Sequence, residues 1–376
     1  MHSTRLLLPL LLLASSSVLA NASGSLSFNG FGTLGVSRLG GEESGRSYGK
    51  QGQLNDRWRG DELSLIGAQL SYDIGDSLVA TAQLTAQAQQ DRWGLDLDWL
   101  YLAWQANDRL TLRAGRLRNP VYMYSETLNV GATYPWLRLP DEVYSQLQID
   151  NYEGLDLLYD TPLRFGSLTW QINGGQARNR DHFIHDDQHD IDYTKIVGIN
   201  LKLTTRDWGA IRIAYSEATL DMHIPYMDGT VLQGIAEDVK GKFTALGYQY
   251  DNGTWLAASE ATRVVVEGLT PSSNAFYIMA GRRFGNLSAH LTHAQLEDEY
   301  TSGRQRSWTA GLGYRLTPTV ILKGEYKRVD NTGENQGVFV RGGREYLEAL
   351  AGSQYLGQPM RTFDGDIIAV GIDFLF

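Results

Sequence analysis

Cysteine is absent from the 376 residues of this chain, so disulfide bonds and thiolate ligands are both excluded. Beyond residue 22 there is also no run of about 18 consecutive apolar residues, which argues against a membrane-spanning helix. Basic residues are fewer than acidic ones, 33 against 43, and this balance argues against a nucleic-acid partner. Glycine-rich phosphate loops are missing as well, and the sequence predicts no cofactor.

The first 22 residues have the order of a secretory signal peptide. Arg5 supplies the positive charge, Leu6–Leu13 is a leucine-rich run, and small residues follow. The run is much shorter than the ~20 residues that a spanning helix needs. We therefore expect cleavage after Ala22, or alternatively after Ala20, and export of the mature chain.

Alternation with period two dominates residues 23–376. In residues 78–89, Leu and Ala take the even positions, whereas Thr and Gln fill most of the odd ones. A helix would spread the glutamines around its circumference, but a strand puts them on one face. The same template predicts sixteen strands, at 25–37, 62–74, 77–90, 96–106, 109–117, 151–160, 166–177, 194–205, 209–220, 239–251, 254–266, 273–284, 287–299, 305–316, 319–329 and 365–376.

The connections between these strands alternate in length. Short links such as Gly75–Asp76 and Asn252–Gly253 follow every second strand, and most of the others are long. The longest are 38–61, 118–150, 178–193, 221–238 and 330–364. This asymmetry is typical of periplasmic turns and extracellular loops, and the even strand count puts both ends of the mature chain on the short-turn side.

Aromatic residues recur near the predicted short-turn ends of the strands. They are Tyr72, Trp104, Tyr159, Trp208, Tyr250, Trp255, Phe284, Tyr314 and Phe376. Amphipathic rings favour a membrane interface, so this pattern predicts an aromatic girdle. The sequence therefore predicts an all-β protein, a transmembrane antiparallel up-and-down β-barrel of 16 strands, give or take two. Eighteen strands stay an alternative.

Two segments carry a family resemblance. The chain ends in alternating apolar residues with Phe374 and Phe376, which resembles the assembly signal of bacterial outer-membrane proteins. Residues 112–120 are similar to the end of the fifth strand of Gram-negative porins, and the whole mature chain looks like that superfamily. The resemblance implies assembly by the barrel-assembly machinery in the outer membrane, contact with lipid and lipopolysaccharide, and a homotrimer that passes small hydrophilic solutes.

The resemblance also implies that the third loop, residues 118–150, folds into the lumen and narrows it. The Pro-Glu-Phe-Gly-Gly motif of enteric porins is absent, so the assignment depends on loop order. The candidate constriction residues are Arg118, Tyr124, Glu126, Arg138, Asp141 and Glu142 of the loop, with Arg113, Arg116, Lys323, Glu325 and Lys327 of the wall. Opposed charges of both signs predict weak ion selectivity. The alternative is a solvated extracellular loop without a filtering role.

Other functions are left open with less support. Aromatic residues of the third loop could form a sugar track, and the basic group near Arg113 keeps an anion- or phosphate-selective channel possible. His182, His185 and His189 are weak metal candidates, although a solvated acidic loop explains them better. An adhesin is a further alternative. Ser288 and His290 share a strand face without an orienting acid, so we do not expect an enzyme.

Overall fold

The computed structural model describes residues 19–21, 24–41, 47–49, 54–61, 63–89, 92–147, 149–184, 187–223, 235–268, 270–298, 304–332, 337–340 and 364–376. Residues 1–18 lie outside these ranges, so cleavage of a signal peptide stays a prediction. Leu19–Asn21 forms a short strand that pairs with Gly24–Leu26. Within the described residues, no helix is both long and apolar enough to cross a membrane.

Sixteen antiparallel strands close into one barrel, as the sequence predicts. The first eight are β1 (Gly24–Gly40), β2 (Leu65–Asp73), β3 (Leu78–Gln89), β4 (Arg92–Asn107), β5 (Leu110–Arg118), β6 (Asn151–Leu163), β7 (Gly166–Ile184) and β8 (Asp187–Thr205). The second eight are β9 (Ala210–His223), β10 (Ile235–Asp251), β11 (Trp255–Val266), β12 (Thr270–Phe284), β13 (Leu287–Asp298), β14 (Arg304–Thr317), β15 (Val320–Thr332) and β16 (Gly365–Leu375). Each strand pairs with its neighbours in sequence.

The last strand closes the ring against the first. The backbone amide of Gly30 donates to the carbonyl of Phe376 at 2.7 Å, and the reverse bond measures 2.9 Å. The rings of Phe374 and Phe376 lie over Gly32 and Gly30, where a Cβ would meet ring carbons at 2.5 and 2.2 Å. Closure pairs the two terminal strands, so the ladder leaves no free edge among them.

The strands extend further than the alternation of the sequence predicts. Most of residues 178–193, expected to be a loop, is strand, because β7 continues to Ile184 and β8 begins at Asp187. Apolar alternation marks only the part of a strand that faces lipid, whereas backbone hydrogen bonds continue the ladder beyond it. Bulges between Ile191 and Ile196 also shift the register and hide the period of two.

The outer face is apolar, and the predicted girdle lies on it. Leu155 is 65% exposed and Leu100 is 54% exposed, which identifies the outward positions of their strands. Of the predicted girdle residues, all but Tyr250 are exposed aromatic side chains. Short turns connect β2 to β3, β4 to β5 and each later pair at the same end of the barrel. That end is the periplasmic one, because the long loops lie at the other.

Candidate pore constriction

The segment from 118 to 150 lies against the inner wall of the barrel. It contains two short 3-10 turns, Ser125–Thr127 and Gly131–Thr133, and one helical turn, α1 (Asp141–Tyr144). Trp136 is 1% exposed and its indole Nε1 donates to Thr292 of β13 at 2.8 Å. We call this segment the inner loop. Its interior packing is hydrophobic, but charged side chains of the wall fasten it.

Lys323 of β15 is enclosed by the inner loop. Its Nζ donates to three backbone carbonyls, at 2.8 Å to Gly131, 2.7 Å to Tyr134 and 2.8 Å to Trp136. The same ammonium lies 2.7 Å from Asp373 of β16, whose side chain is fully buried. Oxygen atoms therefore surround the lysine, and the charge is compensated by one carboxylate.

Glu325 holds the next part of the inner loop by its backbone. Its Oε1 accepts the amide of Leu137 at 2.6 Å, and its Oε2 accepts the amide of Arg138 at 3.3 Å. His290 of β13 lies 3.6 Å from the same carboxylate. Both oxygens of Glu325 are thus used by the loop, and the residue is 9% exposed.

Lys327 fastens α1 to the wall. Its Nζ lies 3.0 Å from Asp141 and 3.1 Å from Glu142. Gln305 of β14 donates to the other oxygen of Glu142 at 2.7 Å. Burial acts to raise the pKa of Asp141, but the charges of Arg138 and Lys327 outweigh it and lower that pKa to about 2. Asp141 therefore stays ionised and paired at neutral pH.

Glu260 of β11 and Arg212 of β9 hold the first part of the inner loop. Glu260 accepts the amide of Met123 at 2.7 Å and the hydroxyl of Tyr144 at 2.8 Å. The guanidinium of Arg212 donates to the carbonyl of Tyr122. All these wall groups belong to β9–β16, so that half of the barrel carries the main fastening of the loop.

Glu126 is the constriction candidate on the inner loop that stays open to water. Its side chain is 52% exposed and lies 3.9 Å from Arg113 of β5. Arg113 is also held by Asp156 of β6, with Nε 2.8 Å from Oδ1. Lys202 of β8 interacts electrostatically with both Glu126 and Arg212. Charges of both signs therefore face each other on this side of the loop.

The inner face of β2–β8 beside these charges is polar. Gln83 donates to Gln69 at 3.1 Å across β2 and β3. Gln171 donates to Asp156 at 2.7 Å, and Asn200 donates to Gln171 at 2.7 Å. These ladders satisfy the amides between strands, and they give this half of the inner wall the chemistry of a hydrated surface.

The predicted constriction residues separate into three groups. Most are packed into the loop and its contacts, Arg113 and Glu126 face each other beside the loop, and Arg116 lies on the outer face. Those packed into the loop and its contacts are Arg118, Tyr124, Arg138, Asp141, Glu142, Lys323, Glu325 and Lys327. Tyr124 is 4% exposed and packs edge-on against Trp136, with ring centroids 5.9 Å apart. The tyrosine therefore supports the loop and cannot serve as an open sugar track. Arg118 lies 3.6 Å from Asp98 and is equally enclosed.

Arg116 differs from the expectation. Arg116 follows Gly115 in β5, and in the strand register it pairs with Leu100 of β4 and Glu153 of β6. Leu100 points outward, so Arg116 shares the outer face with it and does not line the lumen. Its partners are Asn151, at 3.0 Å, and Glu153, at 3.6 Å.

The other candidates give no second site. His182 and His189 pair by their backbones in β7 and β8, while His185 lies outside the described residues, so the metal hypothesis stays untested. Ser288 Oγ donates to the carbonyl of Gly313 at 3.3 Å. His290 contacts Thr292 at 3.4 Å instead of the serine.

The sequence patterns do not identify three of the charged side chains at this site. Lys202, Arg212 and Glu260 are isolated charges in strands, and no motif surrounds them. Their position in the alternation of each strand could have identified them, because each lies on the same face as inward polar neighbours such as Asn200 or Thr262. A charge on the inward face of a predicted strand would have identified all three.

Solved structures of known proteins share the fold. The outer-membrane expressed OmpT of Vibrio cholerae matches with a TM-score of 0.59 and 12% identity, covering 96% of this chain and all of that one. An anion-selective porin from Comamonas acidovorans matches with 0.57 and 15%, covering 94% and 100%. OmpF of Salmonella typhi, in a complex with daunomycin, matches with 0.57 and 14%, covering 96% and 100%.

No curated protein sequence matches the chain. A family model described as Gram-negative porin matches residues 10–334, which is most of the sequence. The closed barrel, the polar inner wall and the inner loop agree with that match. The protein therefore belongs to the Gram-negative porin family and is an outer-membrane channel for passive diffusion.

Proposed function

We propose that the channel passes small hydrophilic solutes and ions with weak ion selectivity, filtered between the inner loop and the β5–β8 wall. The observation that carries the proposal is Glu126, which is 52% exposed and faces Arg113 at 3.9 Å. Opposed charges at a narrow passage order water and sort solutes by charge and dipole. We call Arg113, Glu126, Asp156 and Lys202 the filter residues.

The weakness of the selectivity follows from the charges of the filter residues. Two of them are basic and two are acidic, so their formal charges balance. Asp156 forms an ion pair with Arg113. Glu126 is therefore the carboxylate that compensates the charge of Lys202. Balanced charges in a hydrated passage discriminate only weakly between chloride and potassium.

Reversal potentials in planar bilayers under a potassium chloride gradient test this proposal. The wild type should discriminate weakly between the two ions, and Glu126→Gln should shift the selectivity toward chloride because it removes the exposed carboxylate. Glu267→Gln is the matched control, since this exposed carboxylate pairs with Lys242 at the end of β11, away from the inner loop. A variant at Glu126 with wild-type selectivity and conductance would remove the filter assignment.

We further propose that three copies associate through the outer face of β1–β3. Small outward residues make this surface flat, namely Gly32, Ala68, Ala80, Ala82 and Ala86. A trimer form is known for OmpT of Vibrio cholerae. Native mass spectrometry in detergent should give three chains for each particle, and conductance should rise in multiples of three. A monomeric mass with single steps would contradict the trimer.

Export and assembly complete the proposal. Residues 1–22 act as the signal peptide, and Phe374 and Phe376 act as the assembly signal. The two rings lie over glycines of β1, which couples the signal to the closing strand pair. Intact mass of the protein from outer membranes should equal that of residues 23–376. Phe376→Ala should lower the amount of assembled barrel, and normal assembly of that variant would contradict the assignment.

A further inference from the structure

We propose that Arg282, on the outer face near the periplasmic rim, binds the phosphate of a phospholipid in the inner leaflet of the outer membrane. The face follows from the register of β12. Arg282 lies four positions from Ile278 and two positions from Phe284, so the three side chains share one face of the strand. Ile278 and Phe284 are 59% and 54% exposed on the outer wall. Its side chain therefore points to lipid.

The height of Arg282 in the membrane follows from the turns. Phe284 is the last residue of β12, and Trp255, which pairs with Arg282, is the first residue of β11. Both residues adjoin short turns and belong to the aromatic girdle. Arg282 thus lies where the hydrocarbon region meets the headgroups of the periplasmic leaflet.

Two girdle rings hold the guanidinium. Its central carbon lies 4.8 Å from the centroid of Trp255 and 4.9 Å from that of Phe284. Cation–π contacts of this kind orient the planar group and restrict its rotamers. The site is therefore ordered before any lipid arrives, which lowers the entropic cost of binding.

No carboxylate among the described residues neutralises Arg282. The neighbouring Arg283 makes the contrast, because it points inward and pairs with Asp251, with Nη2 2.8 Å from Oδ2. A guanidinium has five N–H donors, and the rings accept none of them as ordinary hydrogen bonds. On a lipid-facing surface, the group with matching charge and forked geometry is a phosphate oxygen pair.

A phospholipid is a better occupant than free phosphate because the site is continuous with the apolar wall. Ile278 lies four positions from Arg282 on the same outward face of β12, and it faces the acyl-chain region. A diacyl lipid contacts this wall with its chains while its phosphate meets the guanidinium. Inorganic phosphate gains only the second contact and stays more strongly hydrated in water.

Native mass spectrometry of the detergent-solubilised protein, titrated with phosphatidylglycerol, tests the site. Arg282→Ala should weaken binding of one lipid by about tenfold or more, as expected for loss of a charge-assisted contact. Arg282→Lys should lie between the two because it keeps the charge without the fork. Arg263→Ala is the matched control, since Arg263 is an outward arginine at the opposite rim, bonded to Asn274 at 3.0 Å.

Two further titrations identify what is recognised. Galactosyl diacylglycerol has the chains without the phosphate, and it should bind the wild type and Arg282→Ala equally weakly. Inorganic phosphate should not displace the phospholipid. Equal binding of phosphatidylglycerol to wild type and Arg282→Ala, equal losses in Arg263→Ala, or displacement by inorganic phosphate would each overturn the proposal. Circular dichroism verifies that every variant keeps its β-barrel, and conductance is not needed for any readout.

Discussion

The two halves of the inner wall use the same kinds of side chain for different purposes. On β9–β16, charges such as Lys323 and Glu325 are enclosed by the inner loop and bind its backbone. On β5–β8, Arg113 and Lys202 face the open side of the loop and the exposed carboxylate of Glu126. The comparison teaches that enclosure by the inner loop, and not the kind of charge, divides anchors from filter residues.

The largest effect is expected from breaking the anchor at Asp373. Asp373→Ala leaves the ammonium of Lys323 buried without a carboxylate, which should cost about 3–5 kcal/mol of unfolding free energy. Urea titration in lipid vesicles measures this change. Asp366→Ala, on the same strand but in a partly exposed outer pair with Arg328, should cost less than about 1 kcal/mol.

A rescue variant separates the ion pair from general damage to β16. Replacing both partners, as in Lys323→Met with Asp373→Leu, removes the buried charges together and should restore part of the lost stability, since the loop carbonyls still lose their donor. Equal losses for Asp373→Ala and Asp366→Ala would show that burial does not set the role of these charges.

Glu260 should give the next largest effect, and it is local. Glu260→Ala leaves the amide of Met123 and the hydroxyl of Tyr144 without their acceptor, a cost of roughly 2–3 kcal/mol. Hydrogen exchange at the Met123 amide should then accelerate by about thirtyfold or more. Ser259→Ala, at the outward neighbouring position, is the control. Unchanged protection of Met123 would mean that Glu260 does not fasten the loop.

Acid should weaken the fastening of α1 by about 2 kcal/mol. Because the pKa of Asp141 is lowered to about 2, this residue stabilises the folded loop above its unfolded pKa of about 3.9. That contribution is lost as the pH falls from about 4 to about 2. The stability difference between wild type and Asp141→Asn, measured by urea titration against pH, should shrink over this range. A difference independent of pH would contradict the pairing with Lys327.

The smallest effect is expected at Arg116, a charged residue of the outer face that can be compared with the charges of the inner wall. Its register puts it on the outer face with Glu153, so Arg116→Ala should leave ion selectivity unchanged within measurement error. Reversal potentials measure this directly. A clear change in selectivity would show that the side chain reaches the lumen and that the outward assignment is wrong.

Much of the fold could be predicted because period two is a local property. Residues 78–89 alternate so regularly that only a strand sorts their side chains, and turn residues mark the periplasmic links. The extracellular strand ends were missed, since β7 and β8 continue as a hydrogen-bonded ladder without an apolar face. The alternation of the strand also predicts the outward face for Arg116, because it lies an odd number of positions, three, from the inward Arg113.

The division of the site into anchors and filter could not be predicted. Lys323 and Lys202 both occupy inward positions of strands, and nothing near either of them in sequence distinguishes the two. Their difference depends on the path of the inner loop, which is set by contacts between residues far apart in the chain, such as Gly131 with Lys323. Such contacts exist only once the barrel has closed.

Single-channel recording of Lys323→Met beside Lys202→Met tests the central claim most directly. Lys323→Met should release the inner loop, and its channels should show larger and noisier conductance than the wild type. Lys202→Met should keep the wild-type conductance pattern and shift the selectivity toward potassium. The claim would be contradicted if Lys323→Met channels were as quiet and as narrow as the wild type, or if Lys202→Met channels were equally noisy.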